Sequence, residues 1–526
     1  GGIITPLVFF VMDYSNLLKA AKSSKFISVS SLNKKEEESV DENSDEDYTI
    51  NTEITIPTEL SNELNVIGDD VEKNTKLSLI EARTHVKEGQ IHRAYELYKS
   101  ILKLVRTDKQ IYYNYAYICV CIGKYFEAIQ SFNRYFDLRE REKAVLSKTN
   151  GIQSNRNCDI DDCLAYYYMG NAEFKLGKYR QSAEFYKKAL DINPDFLEAN
   201  ENLAWALLKT EKAGEGIRHM QKLISDNKDN TTIRNTLAKM YCKLSRYDDA
   251  KNELNESLKI NPGQADAYRI LGDIYSAEFK YKKALEYYTK AYNISSSDYK
   301  SVFGIGICLY NMGKKKEAVE YFKCAAKKRP DSYKAYFNLG VVLDELGRKE
   351  DAIDAFRTVI KLKSDFPQGY NNLGIILSTM GREEEAINVY LEGLNANPKD
   401  YSLYYNMGIT YMQISKYEKA TEAFEKALRL KPDEHQIYYH MGAALTQMKR
   451  YNEAIDIYKK ALRLNASDSE IFYSLSVVYS LLEKYDISLD NLRRAVSLNP
   501  RIKEDAKRNK AFERLKLNRE FKEILL

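Results

Sequence analysis

The sequence predicts an all-α fold built from tandem helical hairpins, and three observations lead to this prediction. A sparse pattern of large and small residues recurs every 34 residues along most of the chain. Within each copy the large residues are spaced as on one face of an α-helix. Each copy also carries signals for a turn near its middle and, in many copies, a proline that ends the second helix.

The copy at residues 401–434 illustrates why these residue types are needed. Small residues at positions 8, 20 and 27 let two helices approach closely, because larger side chains would hold the helices apart. Large residues at positions 4, 7, 11, 17 and 24 fill the remaining space. Proline at position 32 ends the second helix, and glycine at position 15 of other copies suits the turn between helices. The marked residues of this copy are Tyr404, Met407, Gly408, Tyr411, Tyr417, Ala420, Phe424, Ala427 and Pro432.

This spacing resembles the tetratricopeptide repeat (TPR), a unit of two antiparallel helices. The resemblance implies a right-handed α-solenoid superhelix of about twelve helix-turn-helix units, closed by a C-terminal capping helix. The long consensus-like array is also similar to the repeat half of O-linked N-acetylglucosamine transferases, but no glycosyltransferase domain follows the repeats. Only the binding role of that family is therefore expected for this chain.

The pattern divides the chain into five segments. Residues 1–74 show no repeat and are predicted to be an arm, largely disordered and acidic in its middle. Two units follow at 75–142, and a polar insertion at 143–162 is either a longer helix with a loop or a joint between two sub-arrays. Ten contiguous units occupy 163–502, before the capping helix at 503–526. The unit at 197–230 is expected to pack loosely, because Gly216 replaces alanine at position 20.

Amino-acid composition limits the classes of function that are expected of this chain. The net charge is +4 with 30% charged residues, and most bases are interleaved with acids, so no nucleic-acid partner is expected. No apolar run has the length of a transmembrane segment. Seven scattered cysteines without a disulfide framework suit a reducing compartment and favour a cytoplasmic location. No catalytic, phosphate-binding or metal-ligand motif is found, so we expect no enzyme activity, no cofactor and no metal site.

The resemblance implies that positions 2, 5, 6, 9, 12 and 13 of each first helix face the partner on the concave side. Position 6 is asparagine in three consecutive units, Asn338, Asn372 and Asn406, and His440 follows in the next. An amide offers both a donor and an acceptor, so this row can hydrogen-bond the backbone of an extended peptide. Asparagine is also common at this position in consensus repeats, so a purely structural role is equally open.

Position 5 is aromatic in most of the C-terminal units, and position 9 beside it is aliphatic or small. Together they predict an apolar strip along the groove of residues 299–502, suited to an amphipathic helix or an extended apolar segment. Tyrosine at position 5 also occurs in the family consensus, so packing is the alternative. The only tryptophan, Trp205, falls at position 9 of its unit and is predicted to lie on the same side. The rings at position 5 are Phe303, Phe337, Tyr405, Tyr439 and Tyr473.

One binding mode of the family is not expected in this chain. The clamp that holds the C-terminal carboxylate of chaperones needs two asparagines, which Asn171 and Asn202 match, together with several basic residues. Tyr167, Thr232 and Thr236 stand where those charges belong.

These observations predict a non-enzymatic scaffold or adaptor that holds a protein segment in the groove and helps to assemble a multiprotein complex. Two alternatives stay open. The chain is a substrate-recruiting subunit of a modification or secretion enzyme complex, or it is a self-capped oligomeric component. In the second case the most apolar part of the arm, residues 3–18, would occupy the groove of its own or another copy.

Overall fold

The computed structural model describes residues 69–150 and 159–526. The predicted all-α fold is confirmed, because these residues form α-helices and a 3-10 helix with no β-strand among them. They fall into two compact parts, divided between Ile274 and Tyr275. We call them the N-terminal part (69–274) and the C-terminal part (275–526). The N-terminal arm was predicted for residues 1–74. Of these, residues 1–68 lie outside the described ranges.

Helical hairpins follow one another through both parts. The N-terminal part contains α1 (Asp69–Lys87), α2 (Ile91–Leu104), α3 (Lys109–Cys121), α4 (Tyr125–Asn150), α5 (Asp159–Lys175), α6 (Tyr179–Ile192), α7 (Leu197–Leu208), α8 (Ala213–Asp226), α9 (Thr231–Lys243), α10 (Tyr247–Ile260) and the start of α11 (Ala265–Ala277). The C-terminal part continues with α12 (Tyr281–Ile294), α13 (Tyr299–Asn311), α14 (Lys315–Lys328), α15 (Tyr333–Glu345), α16 (Lys349–Leu362), α17 (Pro367–Thr379), α18 (Glu383–Ala396), α19 (Tyr401–Gln413), α20 (Tyr417–Leu430), α21 (His435–Gln447), α22 (Tyr451–Leu464), α23 (Ser469–Leu481), α24 (Tyr485–Leu498), α25 (Ile502–Arg508), a 3-10 helix (Lys510–Leu515) and α26 (Arg519–Leu525).

A small residue and a large ring hold the two helices of a hairpin together, as the spacing predicts. In α19 and α20, Gly408 faces the fully buried ring of Phe424. A Cβ atom at position 408 would lie 2.6 Å from Cε1 of Phe424, which is closer than van der Waals contact permits. The glycine therefore lets the ring pack directly on the backbone of the first helix.

The turn within a hairpin contains a residue with positive φ in every described hairpin except α7–α8. Gly313, Gly347 and Gly381 have φ values of 78°, 76° and 76°, in agreement with the glycine turns expected from the sequence. Ser415 and Lys449 adopt the same region, at φ 57° and 61°, although side chains disfavour it. The packing of the two helices therefore imposes the turn geometry even where no glycine is present.

The insertion at 143–162 extends two helices. α4 continues to Asn150 and α5 begins at Asp159. The hydroxyl of Tyr135 donates to Oδ1 of Asp162 at 2.9 Å, and the rings of Phe136 and Tyr166 stack with centroids 4.4 Å apart. The hairpins on either side of the insertion are therefore in direct contact.

The unit at 197–230 packs closely at the position where loose packing was expected. A Cβ atom on Gly216 would lie 2.7 Å from the carbonyl oxygen of Ala204 and 3.2 Å from Cβ of Leu207. At Gly216 the missing side chain lets α8 approach α7 instead of leaving a gap.

The segment after α24 is divided, although one capping helix was predicted. Asn509 caps the 3-10 helix and Asn518 caps α26, each by accepting a hydrogen bond from a backbone N–H of the element that follows it. The segment still covers the last hairpin as a cap does. Its buried side chains pack in one cluster with α23 and α24, and they are Ile502, Ala506, Phe512, Leu515, Phe521 and Leu525.

Candidate functional site

The candidate site lies on the first helices of the hairpins, and we call positions 2, 5, 6, 9, 12 and 13 of these helices the groove face. Nine of the ten predicted contact residues belong to it in the C-terminal part. Trp205 belongs to the N-terminal part, where it lies half-buried against the cluster that contains Tyr186 and Leu207.

Each aromatic ring at position 5 between residues 299 and 468 rests on the ring at position 24 of its own hairpin. The rings at position 24 belong to the core, so the rings at position 5 are held in place by the fold itself. Such preorganisation lowers the entropy cost of binding. The centroid distances are 5.7 Å for Phe303–Phe322, 5.7 Å for Phe337–Phe356, 6.0 Å for Tyr405–Phe424 and 6.3 Å for Tyr439–Tyr458.

Exposure separates the predicted contact residues into two groups. Phe303, Tyr405 and Tyr439 are half-buried, whereas Phe337 and Tyr473 are only 8% and 7% exposed. The ring of Phe366 lies 5.3 Å from that of Phe337. The hydroxyl of Tyr473 accepts a hydrogen bond from Nδ2 of Asn509 at 2.9 Å. Phe337 and Tyr473 therefore support the groove face but offer a partner little surface.

His440 lies among aromatic rings and is 3% exposed. Its imidazole centroid is 5.0 Å from the ring of Tyr439, 5.6 Å from Tyr405 and 6.3 Å from Phe424. Desolvation disfavours the imidazolium form and lowers the pKa of His440 to about 4. Its Nδ1 is buried without a hydrogen-bond partner. His440 is therefore a neutral packing residue near pH 7, and it offers a partner little surface.

The row of asparagines is partly satisfied within the protein. Nδ2 of Asn338 and Nδ2 of Asn372 each donate to the backbone carbonyl four residues earlier, both at 2.9 Å. Nδ2 of Asn406 donates instead to Oδ1 of Asn371 in the preceding unit, also at 2.9 Å. Within the part of the chain that the structure describes, Oδ1 of each of the three accepts no hydrogen bond. The row therefore presents acceptor oxygens.

Asn371 interrupts the aromatic row, and the sequence reasoning assigned it no role. Its Nδ2 donates to Oγ of Ser402 at 2.6 Å while its Oδ1 accepts from Asn406. The sequence feature that could have indicated this role is an amide at position 5 of one unit, Asn371, followed by an amide at position 6 of the next unit, Asn406. Tyr405 and His440 are in contact across the same two positions, so positions 5 and 6 are linked between successive units at two places, Asn371–Asn406 and Tyr405–His440.

The asparagines of the N-terminal part bind each other. Nδ2 of Asn202 donates to Oδ1 of Asn171 at 3.0 Å, and the hydroxyl of Tyr186 donates to the same oxygen at 2.7 Å. Both amides are buried.

Three further features bear on function. Across residues 69–150 and 159–526, no group of three or more His, Cys, Asp or Glu side chains is placed to hold a metal ion. None of the helices in these ranges is long and apolar enough to cross a membrane. The six cysteines in these ranges are free thiols.

Curated relatives of this chain were found in plants and archaea. Hsp70-Hsp90 organizing protein 3 of Arabidopsis thaliana is 35% identical over 247 residues, which cover 44% of this chain and 44% of that protein. The TPR repeat-containing protein MJ1428 of Methanocaldococcus jannaschii is 22% identical over 267 residues, which cover 45% of each chain. The chain thus spans less than half the length of these two relatives.

Solved structures also match the chain. The crystal structure of the APC/C hetero-tetramer Cut9-Hcn1 aligns with a TM-score of 0.35 and 17% identity, covering 87% of this chain and 97% of that chain. The structure of YrrB, described as a TPR protein with an unusual peptide-binding site, aligns with a TM-score of 0.32 and 24% identity, covering 37% of this chain and 97% of that chain.

Family models described as tetratricopeptide repeat match six stretches of the sequence. They are residues 163–196, 229–297, 303–367, 367–400, 401–434 and 435–468. Together these stretches cover about half of the chain, and the hairpins within them follow the same 34-residue register as the sequence pattern. The chain therefore belongs to the tetratricopeptide repeat family.

Proposed function

We propose that this chain is a non-enzymatic scaffold or adaptor whose groove face between residues 299 and 502 holds a segment of a partner protein. The observation that carries the proposal is the row of half-buried rings Phe303, Tyr405 and Tyr439, each fixed on a core ring of its own hairpin. Ile307 and Ile409 lie at position 9 of the same helices and are also half-buried. A partner that covers this apolar surface removes it from water, which favours binding.

Polar contacts complete the proposed surface. The Oδ1 atoms of Asn338, Asn372 and Asn406 accept hydrogen bonds from the partner, and backbone N–H groups of an extended segment are suitable donors. Phe337, His440 and Tyr473 act beneath the surface by keeping its rings and amides in place. Trp205 is a separate contact candidate in the N-terminal part.

The assembly role is supported by the names of two similar proteins. One is called Hsp70-Hsp90 organizing protein 3. Another is Anaphase-promoting complex subunit 3 of Schizosaccharomyces pombe, which is 22% identical over 145 residues and of which this chain spans 22%. Both names describe proteins that work in assemblies, and we extend that role to this chain. We also place it in the cytoplasm, since its described cysteines are free.

Two other arrangements make distinct predictions. A substrate-recruiting subunit of an enzyme complex would purify in fixed stoichiometry with a catalytic chain. A self-capped component would lose its oligomeric state, or bind its partner more tightly, when residues 1–68 are deleted.

Photo-crosslinking tests the groove face in its cellular setting. A benzoylphenylalanine residue replaces Tyr439 in one sample and Tyr438, the adjacent residue, in the other. Tyr438 donates from its hydroxyl to the carbonyl oxygen of Pro432, so its ring is directed to the loop before α21. We expect one dominant partner to be linked at position 439 and not at position 438. Equal labelling at both positions would contradict the groove assignment, and linking to residues 1–68 would support self-capping.

Substitution then measures the contribution of the rings. Tyr405→Ala with Tyr439→Ala should weaken the captured partner by about tenfold or more, because aromatic anchors dominate protein interfaces. The matched control is Tyr404→Ala with Tyr438→Ala, which removes two tyrosines from the same helices, and the Tyr404 ring lies beneath Nζ of Lys426 on the neighbouring helix. Thermal unfolding of both double variants shows that each remains folded. Equal affinity of the two variants would rule out the proposed surface.

A further inference from the structure

α17, α19 and α21 are the first helices of three consecutive units, and their groove face carries no Asp, Glu, Lys or Arg. This absence is notable in a chain in which 30% of the residues are charged. We call the groove face of these three helices the uncharged section. Its groove-face residues are Gln368, Asn371, Asn372, Ile375, Ser378, Thr379, Ser402, Tyr405, Asn406, Ile409, Met412, Gln413, Gln436, Tyr439, His440, Ala443, Thr446 and Gln447.

Charged residues return on the groove face on both sides of the uncharged section. Lys334, Asp344 and Glu345 occupy these positions on α15, and Lys300 does so on α13. On the other side Glu470 occupies position 2 of α23. The uncharged section is therefore bounded within one groove and is not a general property of the C-terminal part.

The charged groups nearest to this section already have partners. Nζ of Lys349 donates to Oγ1 of Thr379 at 2.9 Å. Oδ1 of Asp400 accepts from the backbone N–H of Leu403 at 3.0 Å as the cap of α19. Nζ of Lys431 lies 3.1 Å from Oε2 of Glu434. Each of these charges lies at the end of a helix, and two of them bond polar side chains of the uncharged section itself, Lys349 to Thr379 and Asp400 to Ser402.

Hydrogen-bond acceptors remain open in the same section. Nδ2 of Asn372 and Nδ2 of Asn406 donate within the protein, whereas Oδ1 of each accepts no hydrogen bond within the described ranges. Oε1 of Gln368 is buried and also lacks a partner. An acceptor without a partner gains a hydrogen bond when a donor reaches it. The section therefore suits a ligand that supplies neutral N–H or O–H donors.

A charged ligand residue would be penalised at this place. Covering Ile375, Ile409 and Tyr405 with a partner removes water from the surrounding surface. A Lys, Arg, Asp or Glu of the partner would then lose its hydration without meeting an opposite charge, at a cost of several kcal/mol. Specificity can arise from such penalties as much as from attraction.

We propose that the uncharged section binds a stretch of the partner that has no charged side chain, with aliphatic residues against Ile375 and Ile409 and neutral donors on Asn372 and Asn406. This inference rests on the proposed function, since it names the chemistry of the segment that the groove holds. Binding at this section then depends little on salt, in contrast to recognition based on ion pairs.

A displayed library of random dodecapeptides tests the inference on the full-length chain. Recovered peptides are sequenced, and their affinities are measured by fluorescence anisotropy at 50 and 500 mM NaCl, with the Tyr405→Ala, Tyr439→Ala variant as the test of groove binding. We expect groove-dependent peptides to be depleted in Asp, Glu, Lys and Arg at their central positions, and their Kd to change by less than about twofold with salt.

Substitutions that add a charge test whether the peptides bind at the uncharged section. Gln447→Lys places a charge on an exposed groove-face position, and Ile409→Lys places one at the centre of the section. We expect each to weaken the recovered peptides by about tenfold. Leu391→Lys on α18, an exposed aliphatic residue away from the groove face, is the matched control and should leave affinity unchanged. Gln447→Lys remains informative if Ile409→Lys does not fold.

The outcomes separate this inference from the proposed function. Groove-dependent peptides with conserved central charges, or with a Kd that rises about tenfold between the two salt concentrations, would overturn the inference and leave the proposed function standing. If the library yields no peptide that depends on Tyr405 and Tyr439, both proposals fail.

Discussion

The imidazole of His440 lies 5.6 Å from the ring of Tyr405, which belongs to the preceding unit, and both rings pack on Phe424. The contact joins position 5 of one hairpin to position 6 of the next. Burial is the cause of the lowered pKa of His440. The protonation of this one side chain is therefore linked to the stability of the hairpins around it.

Acid is expected to destabilise the protein through His440. The pKa of His440 is about 4 in the folded state, whereas histidine in an unfolded chain titrates near pH 6.5, so the unfolded state binds the proton first as the pH falls. The stability contributed by the neutral ring is complete above about pH 6.5 and is lost towards pH 4, by roughly 3 kcal/mol. His440→Phe should remove this part of the loss, as measured by urea unfolding between pH 7.5 and pH 4.

A second histidine provides the control for that experiment. His435 begins the same helix and is more exposed. His435→Phe should retain the loss of stability that the unmodified protein shows in acid. If His440→Phe and the unmodified protein lose stability in parallel, the linkage to His440 is absent.

Restoring the consensus alanine at position 216 is expected to destabilise the protein. The new Cβ atom would lie 2.7 Å from the carbonyl oxygen of Ala204, so α7 and α8 must move apart, at a cost of about 1–3 kcal/mol. Gly214→Ala lies in the same helix with no atom within 4 Å of the added Cβ. That control should gain about 0.5–1 kcal/mol from helix propensity. Equal shifts of the two variants in chemical unfolding would contradict the close packing at Gly216.

The hydrogen bond between Asn371 and Asn406 is expected to couple two successive units. A double-mutant cycle with Asn371→Ala and Asn406→Ala should give an interaction energy of about 0.5–1.5 kcal/mol in urea unfolding. A parallel cycle with Asn338→Ala in place of Asn406→Ala should give a coupling near zero, because the amide of Asn338 bonds to its own helix. Additive effects in the first cycle would show that the bond across the units contributes nothing.

The closing segment is expected to stabilise the end of the repeat array through Phe512. This ring is fully buried in the cluster over α23 and α24, so Phe512→Ala should cost about 3–5 kcal/mol in the unfolding of the C-terminal part. Leu517 lies in the same segment but is 88% exposed, and Leu517→Ala should change stability by less than about 0.5 kcal/mol. Hydrogen exchange of α23 and α24 would report the local effect. Unchanged exchange in Phe512→Ala would argue that the last hairpin needs no cap.

Much of the fold was predictable because its signals are local. In the nine units from 197 to 502, the first helices begin at the residues where the 34-residue pattern restarts, as α19 does at Tyr401. Helical spacing, turn glycines and helix ends all act within one hairpin, so one copy contains the information for its own shape. The close approach at Gly216 was not predictable in this way, because the separation of two helices depends on both of them at once.

The sequence by itself determined the all-α repeat architecture, the register of its units and the residues that can occupy the groove face. Tertiary structure decided which of those residues are exposed. Phe337 and Phe303 occupy equivalent positions, yet Phe337 is buried because Phe366, at position 34 of its unit, covers it. Ser332 stands at the corresponding position after Phe303, which remains half-exposed. Exposure depends on side chains from neighbouring elements, and a repeat pattern read one position at a time does not contain that information.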